Sequence, residues 1–260
     1  MPPILLTGAS GYLGSALTMA LEQAQIPYEE LRNDKGTQFR FGDNPDRTQL
    51  QGSSALIHLA WMRVRDGLGS LDPNVVASMK LFDACVELDK KFVFISSYAV
   101  LFSPHTWYAE SKRLVERYIF DRGGIVIRPA LVVSHPPQSA FGQLTRFHKL
   151  LHFLPTRAGK PIYIHTIALK QITQCCINTV LNPLTNEIVH NCGKASPVSL
   201  QVLVQEQNTK IVRCIPIPQW LLSIVLFLLK KWSRTSALAD SIDGLYNSSA
   251  CDSDLEGDHV

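Results

Sequence analysis

Apolar residues fall in short runs that alternate with stretches where they recur at helical spacing. Pro3-Ile4-Leu5-Leu6-Thr7 predicts a short buried strand, and Ser15 to Gln25 a helix with Ala16, Leu17, Ala20, Leu21 and Ala24 on its apolar side. A glycine-rich turn, Gly8 to Gly14, lies between them. Pro27 stops the helix, and Tyr28 to Leu31 predicts a second strand. The alternation continues with a strand over Ser54 to Ala60 and a helix over Asn74 to Leu88. A strand over Lys91 to Ser97, a helix over Ala109 to Phe120 and a strand over Ile125 to Arg128 follow, closed by Pro129. Short β-runs alternating with helices predict an α/β fold of Rossmann type, a doubly wound parallel sheet. Beyond Pro136-Pro137 the signal weakens. Helices are predicted over Phe141 to Phe153, Ala168 to Leu181 and Leu200 to Gln207, and strands over Ile162 to His165 and Ile188 to Asn191.

Composition narrows the class. With 260 residues, 46% hydrophobic and 18% charged, the chain has enough apolar material for a full core. The net charge of +3, with no basic run, argues against nucleic acid as a partner. The six cysteines, Cys85, Cys175, Cys176, Cys192, Cys214 and Cys251, make no C-x-x-C pair and no zinc spacing. They read as reduced thiols of a cytoplasmic protein. The N-terminus has no basic region of a secretory signal, and the run Ile4 to Leu6 ends at Gly8. Trp220 to Leu229 is the most apolar stretch, shorter than the roughly 20 residues that span a bilayer. With Lys230 and Lys231 behind it, it reads as a core or homodimer-interface helix, with a helix lying on a membrane surface as the alternative. The acidic, small-residue tail after Ser248 reads as frayed.

The glycine turn carries the first chemistry. Gly8, Gly11 and Gly14 stand three residues apart, after a strand and at the opening of a helix. Gly8 permits a tight turn, Gly11 lets backbone approach a pyrophosphate, and Gly14 lets helix pack on strand. The helix N-terminus offers N–H donors and the positive end of its dipole. Gly8, Ser10, Gly11, Tyr12, Leu13 and Gly14 are therefore the candidate phosphate cradle of a dinucleotide. Residues 1–133 form the predicted dinucleotide-binding domain, to which 162–181 returns. Residues 134–161 and 182–260 form a small C-terminal substrate lobe. An acidic residue at the end of the second strand would bind the ribose of NAD, whereas an arginine pairs with the 2′-phosphate of NADP. Arg32 stands 18 residues beyond Gly14, with Lys35 nearby, which favours NADP; NAD is the alternative, with Glu29 or Glu30 on the ribose.

Tyr108 and Lys112 are four residues apart in a helical stretch and share a face. A free tyrosine, with a pKa of about 10, is a poor proton carrier at neutral pH, and a neighbouring ammonium lowers that value. Tyr108 could then exchange a proton with a substrate hydroxyl. Ser97, at the C-terminal end of a parallel strand where such sheets bind ligands, could donate a hydrogen bond to the substrate carbonyl.

These residues together resemble the short-chain dehydrogenase/reductases, in particular the extended branch of nucleotide-sugar epimerases, dehydratases and 4-ketoreductases. The matching pieces are Thr7-Gly8-Ala9-Ser10-Gly11-Tyr12-Leu13-Gly14, Gly42-Asp43, His58-Leu59-Ala60, Asn74, Ser96-Ser97, Tyr108-Ala109-Glu110-Ser111-Lys112 and Arg128-Pro129. Asn191-Cys192-Gly193 and Val198-Ser199-Leu200 match more weakly. The resemblance implies that Asp43 contacts adenine and that His58, Leu59 and Ala60 line the cofactor with backbone and small side chains. It implies Asn74 near the nicotinamide end, Arg128 on the cofactor side, and Ser97, Tyr108 and Lys112 as the catalytic triad. The substrate it implies is a nucleotide sugar, acted on at a hydroxyl or keto carbon by an NAD(P)-dependent oxidoreductase or epimerase.

The chain departs from that pattern on the substrate side. Ser97 is followed by Tyr98-Ala99, where the 4,6-dehydratases carry Thr-Asp-Glu, which argues against water elimination. Only ten residues separate Ser97 from Tyr108, so the loop Ser103-Pro104-His105-Thr106-Trp107 is clipped. No acidic residue follows Ile164-His165. Arg146, His148, Lys149, His152, Arg157 and Lys160 suit a diphosphate-linked sugar, or form an ordinary solvated face. His148 and His152 have no carboxylate beside them, and no metal site is expected. A 4-ketoreductase and a 4-epimerase fit equally, and a non-catalytic dinucleotide sensor on the same fold is the alternative.

Overall fold

The strand β1 (Ile4–Thr7) is buried along its whole length, with Ile4 and Leu5 at zero exposure, as a strand covered on both faces must be. We describe the chain from a computed structural model covering residues 1–62, 72–102, 106–151, 153–157, 161–182, 189–207 and 212–218. The apolar helix expected at 220–231 lies outside these residues, as do His152, Lys160 and most of the clipped loop. After β1 come α1 (Tyr12–Gln23), β2 (Tyr28–Glu30), α2 (Arg47–Gln51), β3 (Ala55–His58), α3 (Pro73–Glu87) and β4 (Lys91–Ile95). Next are α4 (Ala99–Phe102), α5 (Trp107–Phe120), β5 (Ile125–Pro129), β6 (Leu131–Val133) and α6 (Ser139–Leu151). The remaining elements are β7 (Phe153–Arg157), β8 (Tyr163–Ile164), β9 (Thr166–Ala168), α7 (Leu169–Leu181), β10 (Val189–Cys192), β11 (Val198–Ser199), α8 (Leu200–Gln205) and β12 (Arg213–Ile217).

The chain divides into two compact units. The first comprises Met1–Ser97, Glu110–Pro129 and Ala168–Cys192. Its six-stranded sheet has the order β10-β5-β4-β3-β1-β2. Every pairing is parallel, for example Leu6 opposite Ile57 and Ile57 opposite Val93. The order reverses between β1 and β3, the switch point at which doubly wound sheets open a crevice. This is the Rossmann-type α/β architecture expected from the alternating runs. Between β2 and β3 the chain makes only isolated bridges, Arg32 to Gln38 and Asn33 to Pro45, and the short helix α2. Phe82, Phe92 and Phe94 centre the core, with Phe82 edge-on to Phe92 at 5.4 Å.

Capping explains where the helices begin. Asp46 accepts from the amides of Thr48 and Gln49, both at 3.0 Å, and starts α2. Asp72 accepts from the Asn74 amide at 2.8 Å, and Pro73 takes the first helical position of α3. Helix α1 starts at Tyr12, earlier than its apolar period suggests, because Gly11 adopts an extended N-cap conformation.

The second unit comprises Tyr98–Ala109, Ala130–Ile167 and Gly193–Val260. Among its described residues, Phe141, Leu144, Leu154, Ile164, Leu203 and Val204 form an apolar core. Two strands there were hidden in the sequence. β7 and β12 pair in parallel, although Pro155 and Pro216 interrupt their patterns. Each prolines' missing N–H is tolerable because a two-stranded sheet consists only of edges. Of the strand expected over Ile162 to His165 only Tyr163–Ile164 forms β8, and a further strand that the sequence did not announce, β9 (Thr166–Ala168), follows His165.

Candidate active site

Each glycine of the turn has a steric reason. Gly8 has φ of +72°, and a Cβ there would lie 2.8 Å from the Ala60 backbone nitrogen and Cα. A Cβ on Gly14 would run into the Gly8 carbonyl oxygen and stand 2.8 Å from the Ala9 Cα. The Gly11 amide donates to the Gly8 carbonyl at 3.0 Å and closes the turn. Ser10 and Gly11 are exposed, Tyr12 and Leu13 half-buried, and Gly14 buried. No side chain caps α1, so its first amides project from the C-terminal end of β1. Backbone donors and a positive dipole end at that place suit a pyrophosphate.

Behind this turn runs a buried polar chain. The Ala60 amide donates to Thr7 Oγ1 at 3.2 Å, and Thr7 Oγ1 contacts His58 Nδ1 at 2.6 Å. His58 Nε2 lies 2.9 Å from Ser78 Oγ, which donates to the Asn74 carbonyl at 2.6 Å. Ser78 has a single proton and spends it on Asn74, so His58 must donate from Nε2 and accept at Nδ1. Burial, together with the charge of Lys112, pushes the His58 imidazole down to about 3. Its ring is fully buried, 6.0 Å from both Phe92 and Phe94. His58 can therefore offer a ligand its backbone but not its ring.

This makes a prediction. The unfolded imidazole takes its proton near 6.5 and the folded one only near 3. Stability from neutral His58 is thus complete above about pH 6.5 and is lost as pH falls toward the folded value. In NMR, the His58 ring should hold its neutral Nε2–H signature from about pH 8 to pH 5 while exposed imidazoles shift. A His58 midpoint near the ordinary value would contradict the chain of bonds.

Asn74 is also fully buried. Its Oδ1 accepts from the Met62 amide at 2.6 Å and its Nδ2 donates to the Met62 carbonyl at 3.3 Å. It anchors the segment after β3 through backbone. Asp72, equally buried, accepts from Ser111 Oγ at 3.1 Å and so ties the start of α3 to α5.

Lys112 and Tyr108 lie one turn apart on α5, and Ser97 stands two residues past the end of β4. Tyr108 and Ser97 are half-buried, whereas Lys112 is 3% exposed. Lys112 Nζ donates to the Ile95 carbonyl at 2.6 Å. It sits 3.8 Å from the Trp61 ring centroid and 4.6 Å from that of Phe94. Burial brings its ammonium down to about 7, and Glu116 acts in the opposite direction. A lysine so placed loses its charge at a lower pH than an exposed one.

The remaining expected cofactor residues are engaged in different ways. Arg128 makes a two-pronged ion pair with Glu116, at 3.0 Å from Nε and 2.7 Å from Nη2. The Glu116 side chain is 1% exposed and that of Arg128 14%. The guanidinium is thereby bound within the protein, a structural role that a motif match does not reveal. Asp43 Oδ2 accepts from Asn33 Nδ2 at 3.0 Å and from the Arg40 amide at 2.8 Å, which hold its carboxyl below the usual range. Arg32 is exposed, 3.9 Å from Asp46. Glu29 accepts from Gln49 and Glu30 from Gln38.

The sequence reading missed Trp61 and Glu116. Glu116 had a signal: Lys112 and Glu116 continue the four-residue step from Tyr108 into the face that buries Val115 and Ile119. Trp61 had none. Among the described residues no cluster of three metal-ligating side chains occurs. No described helix is long and apolar enough to cross a membrane.

The comparisons with known proteins agree with this fold. The family model described as NAD dependent epimerase/dehydratase family matches residues 4–133. No curated protein sequence matches the chain. Among solved structures, a nucleoside-diphosphate-sugar epimerase from Staphylococcus aureus is similar with a TM-score of 0.67 and 15% identity, over 96% of this chain and 91% of that one. The UDP-N-acetylglucosamine 4-epimerase from Bacillus cereus has a TM-score of 0.62 and 17% identity, over 83% of this chain and 86% of that one. A short-chain dehydrogenase/reductase superfamily protein from Agrobacterium tumefaciens with bound NAD has a TM-score of 0.61 and 18% identity, over 83% and 85%. A switch-point glycine turn, a parallel sheet of this order and a family model spanning half the sequence lead to one statement: the chain belongs to the NAD dependent epimerase/dehydratase family.

Proposed function

We propose that the chain is an NAD(P)-dependent oxidoreductase or epimerase acting at a hydroxyl or keto carbon of a nucleotide sugar, of 4-ketoreductase or 4-epimerase type. The observation that carries this reading is Lys112: a buried amine, tied to the last carbonyl of β4, one turn from Tyr108. Charge on Lys112 lowers the cost of a Tyr108 phenolate. Tyr108 takes the proton of the substrate hydroxyl or returns one to the carbonyl oxygen, and Ser97 holds that oxygen by a hydrogen bond. Gly8 to Gly14 hold the pyrophosphate at the N-terminus of α1. When bound, the nicotinamide supplies the hydride acceptor and donor. The similar structures named UDP-sugar or nucleoside-diphosphate-sugar epimerases support the substrate class.

Purified protein given UDP-sugars and the corresponding 4-keto compounds tests the proposal. Interconversion without net cofactor change identifies an epimerase, and stoichiometric NAD(P)H consumption identifies a reductase. Tight dinucleotide binding with no turnover of any such sugar would favour a dinucleotide sensor instead.

For the cofactor we favour NADP. Glu29 and Glu30 already accept from glutamine amides, whereas Arg32 is exposed just past β2 with a long ion pair to Asp46. Arg32→Ala is expected to weaken NADPH about 10- to 100-fold, the worth of one charge-assisted bond, and to leave NADH nearly unchanged. Fluorescence titration reads both. Tighter NADH binding, indifferent to the substitution, would assign NAD.

A further inference from the structure

α7 and β10 bring two thiols together in the first unit, away from the glycine turn. Cys175 Sγ and Cys192 Sγ are 2.7 Å apart, although 17 residues separate them in sequence. Both elements are fixed. α7 packs on α1, and Lys91 Nζ donates to the Val180 carbonyl at 2.9 Å and holds its last turn. β10 pairs with β5, with Cys192 opposite Pro129. Cys176, the next residue on α7, is fully buried. Cys175 is half-buried and lines a cleft of about 520 Å³ with Gln171, Gln174, Asn178, Asn182 and His190. The cleft is open to solvent, and a small oxidant can reach Cys175 through it.

We propose that Cys175 and Cys192 are a redox-active dithiol, oxidised to a disulfide by hydrogen peroxide that enters through this cleft. The two thiols are not equivalent. Either sulfur can donate across the pair, but Cys175 lines the cleft and so meets the oxidant first. Cys175 is therefore the attacking sulfur and Cys192 the resolving one. The Cys175 thiolate attacks one peroxide oxygen, the O–O bond breaks, and the departing hydroxide takes a proton and leaves as water. Cys175 is then a sulfenic acid. The Cys192 sulfur attacks the Cys175 sulfur, the S–S bond forms as the S–O bond breaks, and the hydroxyl leaves with the Cys192 proton as a second water. Two thiols are oxidised and one peroxide is reduced to two waters. Nothing in this step requires the dinucleotide or the sugar, so it stands apart from the proposed catalytic function.

The test is intact-mass and peptide mass spectrometry of the full chain after graded hydrogen peroxide. The expected product is about 2 Da lighter, carries a Cys175–Cys192 linked peptide, and returns to the starting mass with dithiothreitol. Cys192→Ser should stop at a sulfenic acid on Cys175 that dimedone traps, and Cys175→Ser should leave Cys192 a thiol. The wild-type result does not depend on either variant folding. Two outcomes overturn the proposal. One is that Cys175 and Cys192 stay reduced at peroxide levels that oxidise a free small thiol. The other is that Cys176 or another cysteine forms the link instead.

Discussion

Turnover of a ketosugar or epimerisable nucleotide sugar is expected to fall roughly 10²- to 10⁴-fold when Tyr108 is replaced by Phe. The ring and its packing remain, and only the O–H is lost. Because that group acts in the transition state, kcat and kcat/KM should fall together while dinucleotide affinity changes by less than about twofold. The pH profile adds a readout that a merely structural role would not move. Lys112 is held near 7 by burial, and its charge favours the Tyr108 phenolate. Under the proposed mechanism, Lys112→Met removes the assisting charge, so the limb of kcat/KM that rises with pH in the oxidative direction should move to higher pH. Equal turnover by Tyr108→Phe, or an unmoved limb in Lys112→Met, would remove the tyrosine from the chemistry.

Loss of Glu116 should have the largest effect on stability. Its carboxylate is 1% exposed and faces a guanidinium that is 14% exposed. Glu116→Ala leaves the Arg128 charge buried and unpaired, which costs about 3–5 kcal/mol and lowers Tm by roughly 10 °C. The pair Arg47–Glu87 has nearly the same length, 2.7 Å, but its side chains are 56% and 59% exposed. Its removal should cost no more than about 1 kcal/mol. A double replacement, Glu116→Met with Arg128→Met, should recover most of the loss, because no charge is then stranded. Calorimetry of the four proteins decides the matter. If Glu116→Ala and Glu87→Ala unfold alike, burial of the pair is not what stabilises it.

The same pair shows where sequence reading stopped. Runs such as Leu5-Leu6 and Leu56-Ile57 announce buried strands because parallel sheets are covered on both sides, and α1, α3, α5 and α7 carry an apolar period. α2 has no such period; its only mark is Asp46, a cap before a polar five-residue helix. α4 is a single turn, and the prolines of β7 and β12 erase their strand signal. At the site, spacing alone marked the glycines, Tyr108 and Lys112. It could not say where a side chain points. His58 and Arg128 occupy motif positions, yet the ring of one is enclosed by Phe92 and Phe94 and the charge of the other by Glu116. Trp61 meets Lys112 from a position 51 residues away, through tertiary structure alone.

The polar chain behind the glycine turn has an orientation as well as a position. Each donor, from the Ala60 amide through Thr7, His58 and Ser78, gives its hydrogen onward toward the Asn74 carbonyl, so none can rotate without its neighbours. Asn74 in turn grips Met62. Backbone from residue 60 to 62 is thereby immobilised from beneath, at the place where Ala60 abuts Gly8. A molecule settling on residues 60–62 meets backbone already held in place, so that segment adds little ordering entropy to the cost of binding.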